Sequence, residues 1–113
     1  MPDIPAKDWK LFREKIHGWQ ASCMESLCRE YIELLQQNKR AAERFWQLGE
    51  RIKTDQRRTG VVIEMRRSMM IHDLAVLLPE EVIGEADLEE FTENTGEQAI
   101  DLCAFRKEQN ENS

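Results

Sequence analysis

The stretch WKLFREKIHGWQASCMESLCREYIELL, residues 9–35, decides how the rest of the chain folds. Within it Trp9, Phe12, Ile16, Trp19, Cys23, Leu27, Tyr31 and Leu34 recur at steps of three and four, the period of one face of an α-helix. Met24, Cys28 and Leu35 widen the stripe, so the helix meets more than one neighbour. At about 28 residues and about 1.5 Å of rise each, it is about 42 Å long. A compact chain of 113 residues has a diameter of only about 35 Å. The helix therefore overhangs its own domain, and leaving its stripe in water forfeits about 1.5–3 kcal/mol per large side chain. A second copy is the simplest cover, and Trp9, Phe12, Ile16 and Trp19 are the expected contacts of a homodimer. Gly18 marks either a kink or a close backbone approach between Ile16 and Trp19.

Outward from this helix, Asn38 serves as a stop or as the next N-cap. A second helix is predicted from about Ala41 to Asp55, with Ala42, Phe45, Leu48 and Ile52 on its buried face. Gly60 closes the following connection by permitting a turn that other residues resist. The third helix is predicted from about Val61 to Leu78, on two adjacent stripes: Val62, Met65, Met69, His72 and Val76, then Ile63, Met70, Leu74 and Leu77. Core packing accounts for Met69 and Met70 together. Pro79 interrupts that pattern. Gly84 then caps a fourth helix, with Ile83 and Leu88 in the positions of a hydrophobic staple. Asn94, Thr95 and Gly96 are poor helix formers against the persistent spacing of Phe91, Thr95, Ala99 and Leu102, so continuation past Thr95 is open. Residues 108–113 read as a frayed tail. The expectation is an all-α single domain over residues 1–113, a small bundle of about four helices with a long N-terminal one.

Composition points the same way. Glycine and proline are few, 5 and 3, and helix formers outnumber β-branched residues. No apolar run reaches the length needed to span a bilayer, and MPDIPAKDWK lacks the apolar segment of a secretory signal, so a cytoplasmic protein without membrane contact is expected. Cys23, Cys28 and Cys103 form an odd set without a C-x-x-C pair, as reduced thiols do. Charge is uneven. Residues 39–67 hold 9 Lys/Arg against 4 Asp/Glu, whereas residues 68–113 hold 2 against 12. A basic middle and an acidic end attract each other within the chain or across a dimer, or each meets a separate partner.

Catalytic, cofactor and metal chemistry find no pattern to rest on. There is no P-loop, dinucleotide fingerprint, G-x-S-x-G or H-E-x-x-H. His72 and Asp73 are adjacent on a helix, where neighbours do not face each other. Cys23 and Cys28, five apart, point about 140° away from each other. No catalytic, cofactor-binding or metal residue is therefore expected, although a site assembled from distant residues leaves no local motif. The basic middle offers one alternative, a phosphate-contacting patch of Arg57, Arg58, Arg66 and Arg67. Glu64 and Asp55 interleave it, and no aromatic residue sits among the arginines.

The segments WKLFREKIHGWQ, AERFWQLGERIK, TGVVIEMRRSMMIHDL and VIGEADLEEF together resemble a group of short, largely uncharacterised all-helical bacterial proteins of gut Firmicutes, sometimes labelled "multidrug transporter". The resemblance covers residues 9 to about 91. It implies an all-helical fold and a cytoplasmic bacterial setting, and no active residues. A chain without a membrane-spanning segment cannot form a transport path. Members of the group continue the final helix with a regular Ser-acidic-acidic-Leu pattern, from which TENTGEQAIDLCAFRKEQNENS departs.

The leading expectation is a non-enzymatic protein-interaction or adaptor protein acting as a homodimer with an unknown protein partner. The alternative is a nucleic-acid-binding accessory or regulatory protein using the basic patch at residues 51–67. A third reading has the acidic C-terminal region mimicking nucleic acid to block a basic groove.

Overall fold

The computed structural model describes residues 4–111. It is all-α, a small bundle built on a long first helix. Five helices follow in order: α1 (Ala6–Leu35), α2 (Ala41–Asp55), α3 (Met70–Leu77), α4 (Glu85–Leu88) and α5 (Glu93–Glu111).

Pro5, with φ already near the helical value, precedes α1 and accepts backbone bonds from Asp8 and Trp9 at 3.0 and 3.1 Å. The helix thus begins three residues before Trp9. It runs unbroken through Gly18, which is exposed and has open space where a Cβ would stand. No other part of the chain makes the close approach expected there. The Gly60 expectation also needs correction, in its reason. No glycine has a positive φ, so the turn itself does not need glycine; a Cβ at Gly60 would lie 2.7 Å from Val82 Cγ2 and 2.8 Å from Cys23 Sγ. Space, not backbone freedom, selects glycine at that position.

The N-terminal half of α1 carries the core. Phe12 and Ile16 pack with Met70, Ile71, Leu74 and Leu77 of α3, with Leu88 of α4, with Phe91 in the turn before α5 and with Ala99 of α5. Trp9, Phe12, Trp19 and Phe91 form a chain of rings with centroids 6.0 to 6.4 Å apart. Phe12 and Ile16 are 0% and 1% exposed within a single chain, which corrects their assignment to a dimer interface; Trp9 and Trp19 lie half-buried against the same core.

The predicted third helix is shortened from its N-terminal side. Residues 62–66 are irregular, Arg66 is extended at φ −121°, and a 3-10 turn over Arg67–Met69 leads into α3. Three β-branched residues in a row, Val61 to Ile63, lower helix propensity; Ile63 alone of them packs against the core, and Val62, Met65 and Met69 are exposed. Met70 alone of the methionine pair is core. Pro79 does not end the turn abruptly. Val82 N–H donates to Leu77 O at 3.1 Å and Glu81 N–H to Leu78 O at 3.0 Å, the paired bonds of a Schellman closure, with Glu81 at φ 61° where glycine is usual.

Gly84 does precede α4, with its N–H bonded to Asp87 Oδ2 at 2.8 Å, and Ile83 and Leu88 both enter the core. After one turn the chain breaks, and α5 begins afresh at Glu93. Its first turn is capped from outside. Asp8 of α1 accepts bonds from Thr92 N–H (2.9 Å), Thr92 Oγ1 (2.6 Å) and Thr95 Oγ1 (2.6 Å). That anchor, together with burial of Thr95, Gly96 and Ala99, carries the helix through Asn94–Gly96 to Glu111. The segment expected to fray is helical to Glu111; residues 112 and 113 lie outside the described residues.

The molecule measures 52 × 35 × 23 Å, with a radius of gyration of 16.6 Å against about 13 Å for a compact chain of this length. The overhang is real, but it lies at the C-terminal end of α1, away from Trp9 and Trp19.

Candidate interaction surface

Beyond the core, the last turns of α1 have α2 beside them. The two run antiparallel, tied by Arg51 Nη2 to Glu30 Oε1 (3.3 Å), Tyr31 OH to Asp55 Oδ2 (2.6 Å) and Arg44 Nη1 to Leu35 O (2.8 Å). Arg51 lies over the Tyr31 ring, 5.7 Å from its centroid. Burial and the hydrogen bond to Asp55 push the Tyr31 phenol up to about 12, so it remains a donor at all ordinary pH.

The residues of α2 that face α1 are thus Arg44, Leu48, Arg51 and Asp55, spaced four, three and four. The expected buried face of Ala42, Phe45, Leu48 and Ile52 is a correction: only Leu48 is half-buried, while Ala42 and Ile52 are exposed and Phe45 is 66% exposed. Trp46, beside it, is 69% exposed. Their rings meet edge to face, 5.1 Å between centroids at 88°. Polar bonds turned the helix about 100° from the orientation its apolar stripe alone would select.

On α1, Met24, Ile32 and Leu35 are likewise exposed. Glu30 pairs with Arg51, and Tyr31 with Asp55. With antiparallel helices so registered, the right-handed winding sets Met24, Ile32 and Leu35 on the same side of the hairpin as Phe45 and Ile52. Trp46 crowns the outer ridge. The result is a two-helix apolar face without a cover from its own chain; a separate hollow of about 430 Å³ lies between Leu34 and Trp46, lined also by Gln47, Glu50 and Arg51.

The four arginines of the basic patch are not gathered into one surface. Arg58 turns inward to Asp55 (3.7 Å) and Glu80 (3.8 Å), Arg66 pairs with Glu64 (2.7 Å), and Arg67 donates to Ile4 O; Arg57 is exposed. His72 and Asp73 approach more closely than their adjacency suggested, Nδ1 to Oδ1 3.6 Å, which is still beyond a hydrogen bond. Arg106 Nη1 lies 3.0 Å from His72 Nε2 and, being always protonated, donates to it, so the other ring nitrogen carries the proton. Burial pushes the Asp73 carboxyl up from the usual range, His72 opposing. Among the described residues no group of three His, Cys, Asp or Glu side chains gathers to hold a metal ion, and no helix is long and apolar enough to cross a membrane.

Phe45 was missed as a surface residue because apolar periodicity does not say which way a helix turns. The usable signal was the second stripe, Arg44, Leu48, Arg51 and Asp55, whose charges match Glu30 and Tyr31 on α1. Comparison of the chain with protein-family models, with curated proteins and with solved structures finds no match.

Proposed function

We propose that the protein works by binding proteins, as a homodimer, with no catalysis of its own, and that the α1–α2 hairpin is its contact surface. One observation carries this reading: Phe45 and Trp46, two large aromatics on one short helix, stand in solvent, and Met24, Ile32, Leu35 and Ile52 of the same hairpin are exposed too. Exposed apolar patches of this kind mark interaction sites. Area supports it too. The molecule exposes 7931 Å², whereas a folded monomer of 13.3 kDa exposes about 6,450 Å². The surplus exceeds the roughly 800 Å² that each partner contributes to a standard interface. The setting we propose is the bacterial cytoplasm, where Cys23, Cys28 and Cys103 remain thiols. Nucleic-acid binding fits less well, because Arg58 and Arg67 turn donors to groups within the chain and Arg66 faces the Glu64 carboxylate.

Analytical ultracentrifugation tests the reading. The chain should sediment as a dimer at tens of micromolar, and the double variant Phe45→Glu/Trp46→Glu as a monomer with an unchanged circular dichroism spectrum, since both side chains are already in solvent. A native chain that stays monomeric at that concentration overturns it.

A further inference from the structure

Alongside α5 runs a trough made of two adjoining cavities, about 890 and 350 Å³, which share Glu85 and Ile100. Its floor is apolar, with Val76, Ile83, Ile100 and Ala104. Its upper wall is acidic, with Glu85, Glu89, Glu93 and Glu97. Residues 79–111 hold 11 Asp/Glu against 2 Lys/Arg; the two, Arg106 and Lys107, line the larger cavity, where Arg106 is turned to His72, so the acidic wall is that of the smaller one. The shape and charge therefore suit a short basic helix with one apolar face.

The chain itself contains one. Residues 39–58, spanning α2, hold 7 Lys/Arg against 3 Asp/Glu, and exposed Lys53 and Arg57 flank the Phe45, Trp46 and Ile52 stripe. At about 22 Å for α2 against about 28 Å for α5, the lengths match. Within one chain the two do not meet. α5 begins at the first turn of α1, held by Asp8, while α2 packs on its last turns. A two-fold, antiparallel pairing of elongated molecules brings the end bearing α2 beside the end bearing the trough, twice over, and closes without leaving either surface open.

We infer that the dimer is reciprocal: α2 of each copy lies in the acidic trough beside α5 of the other. This rests on the self-association proposed above and specifies its geometry. It excludes a dimer in which the two hairpins meet face to face.

Charge exchange tests it on the full chain by sedimentation equilibrium, using the exposed positions 53, 57, 89 and 97. Lys53→Glu/Arg57→Glu alone, and Glu89→Lys/Glu97→Lys alone, each set like charges across both contacts and should weaken dimerisation by at least about tenfold. An equimolar mixture of the two restores opposite charges at both contacts, so it should form heterodimers about as tightly as the native chain. Either variant dimerising as well as the native chain, or a mixture no tighter than its components, overturns the reciprocal geometry while leaving a dimer through α2 intact. A monomeric native chain removes both.

Discussion

Asp8 does for α5 what no residue of α5 does for itself. It is 0% exposed, and its carboxylate accepts three hydrogen bonds at the start of a helix 84 residues away. Burial alone would raise its pKa, but the bonds from Thr92 and Thr95 outweigh burial and hold it below the ordinary 3.8. A folded value below the unfolded one means the stabilisation is fully present at neutral pH and is lost as pH falls from about 3.8 toward the lowered folded value. Asp8→Ala would strand the hydroxyls of Thr92 and Thr95 and the Thr92 N–H in the interior. With charged hydrogen bonds worth about 1.5–3 kcal/mol each and not additive, the expected loss is about 3 kcal/mol at pH 7, read by urea denaturation. The difference between variant and native chain should shrink on acidification below pH 4. A gap that stays constant between pH 7 and pH 3 would show the carboxylate charge to be irrelevant. Nothing in the sequence announced this role, because an aspartate in a first turn reads as a local dipole partner and the threonines it holds are the far end of the chain.

At the scale of the helix, legibility followed the source of the stabilisation. The apolar period of α1 and the span of α2 are local facts, and both ends of α2 stand where the spacing placed them. The start of the helix from Val61 was not legible, because the stripe of Val62, Met65 and Met69 counts residues that end up in solvent, and tertiary cover rather than period decides between helix and extended chain. For α5 the error ran the other way, since a distant carboxylate and burial of Gly96 overcame weak propensity. Glycine positions separate the two kinds of cause. Gly18 sits mid-helix with empty space at its Cβ position, so Gly18→Ala should stabilise by up to about 1 kcal/mol through backbone entropy. Gly60→Ala must instead displace Val82 or Cys23 and should cost about 1–3 kcal/mol. Paired thermal melts check this: equal effects of the two substitutions, in sign or size, would mean that one explanation covers both, contrary to the different spaces around them.

For the whole molecule, the overhang argued from length and periodicity holds, and its place does not, because α3 to α5 cover the tryptophan-bearing half of α1 and leave the other half to a helix that turns its aromatics away. The charge division was legible as a count; that its basic part forms the outward hairpin and its acidic part the rim of a trough was not, since both depend on where the chain folds back. One consequence concerns local stability. Among side chains of α2, Leu48 alone combines apolar character with partial burial, and the helix is otherwise tied by Arg44, Arg51 and Asp55. A helix of 15 residues is marginal on its own, so α2 in an isolated copy should open at far less than the free energy of global unfolding. Covering Phe45 and Trp46 adds about 1.5–3 kcal/mol for each. Since about 1.4 kcal/mol is tenfold in an equilibrium constant, hydrogen exchange of α2 amides should accelerate by at least about tenfold when the proposed dimer is diluted apart or when Phe45→Glu/Trp46→Glu keeps the chain monomeric. Amides around Phe12 and Ile16 should not change, because their cover comes from the same chain. If α2 exchanges equally fast at high and low concentration in a sample whose mass shows dimer and monomer respectively, the partner does not sit on that helix, and the surface that joins the copies lies elsewhere.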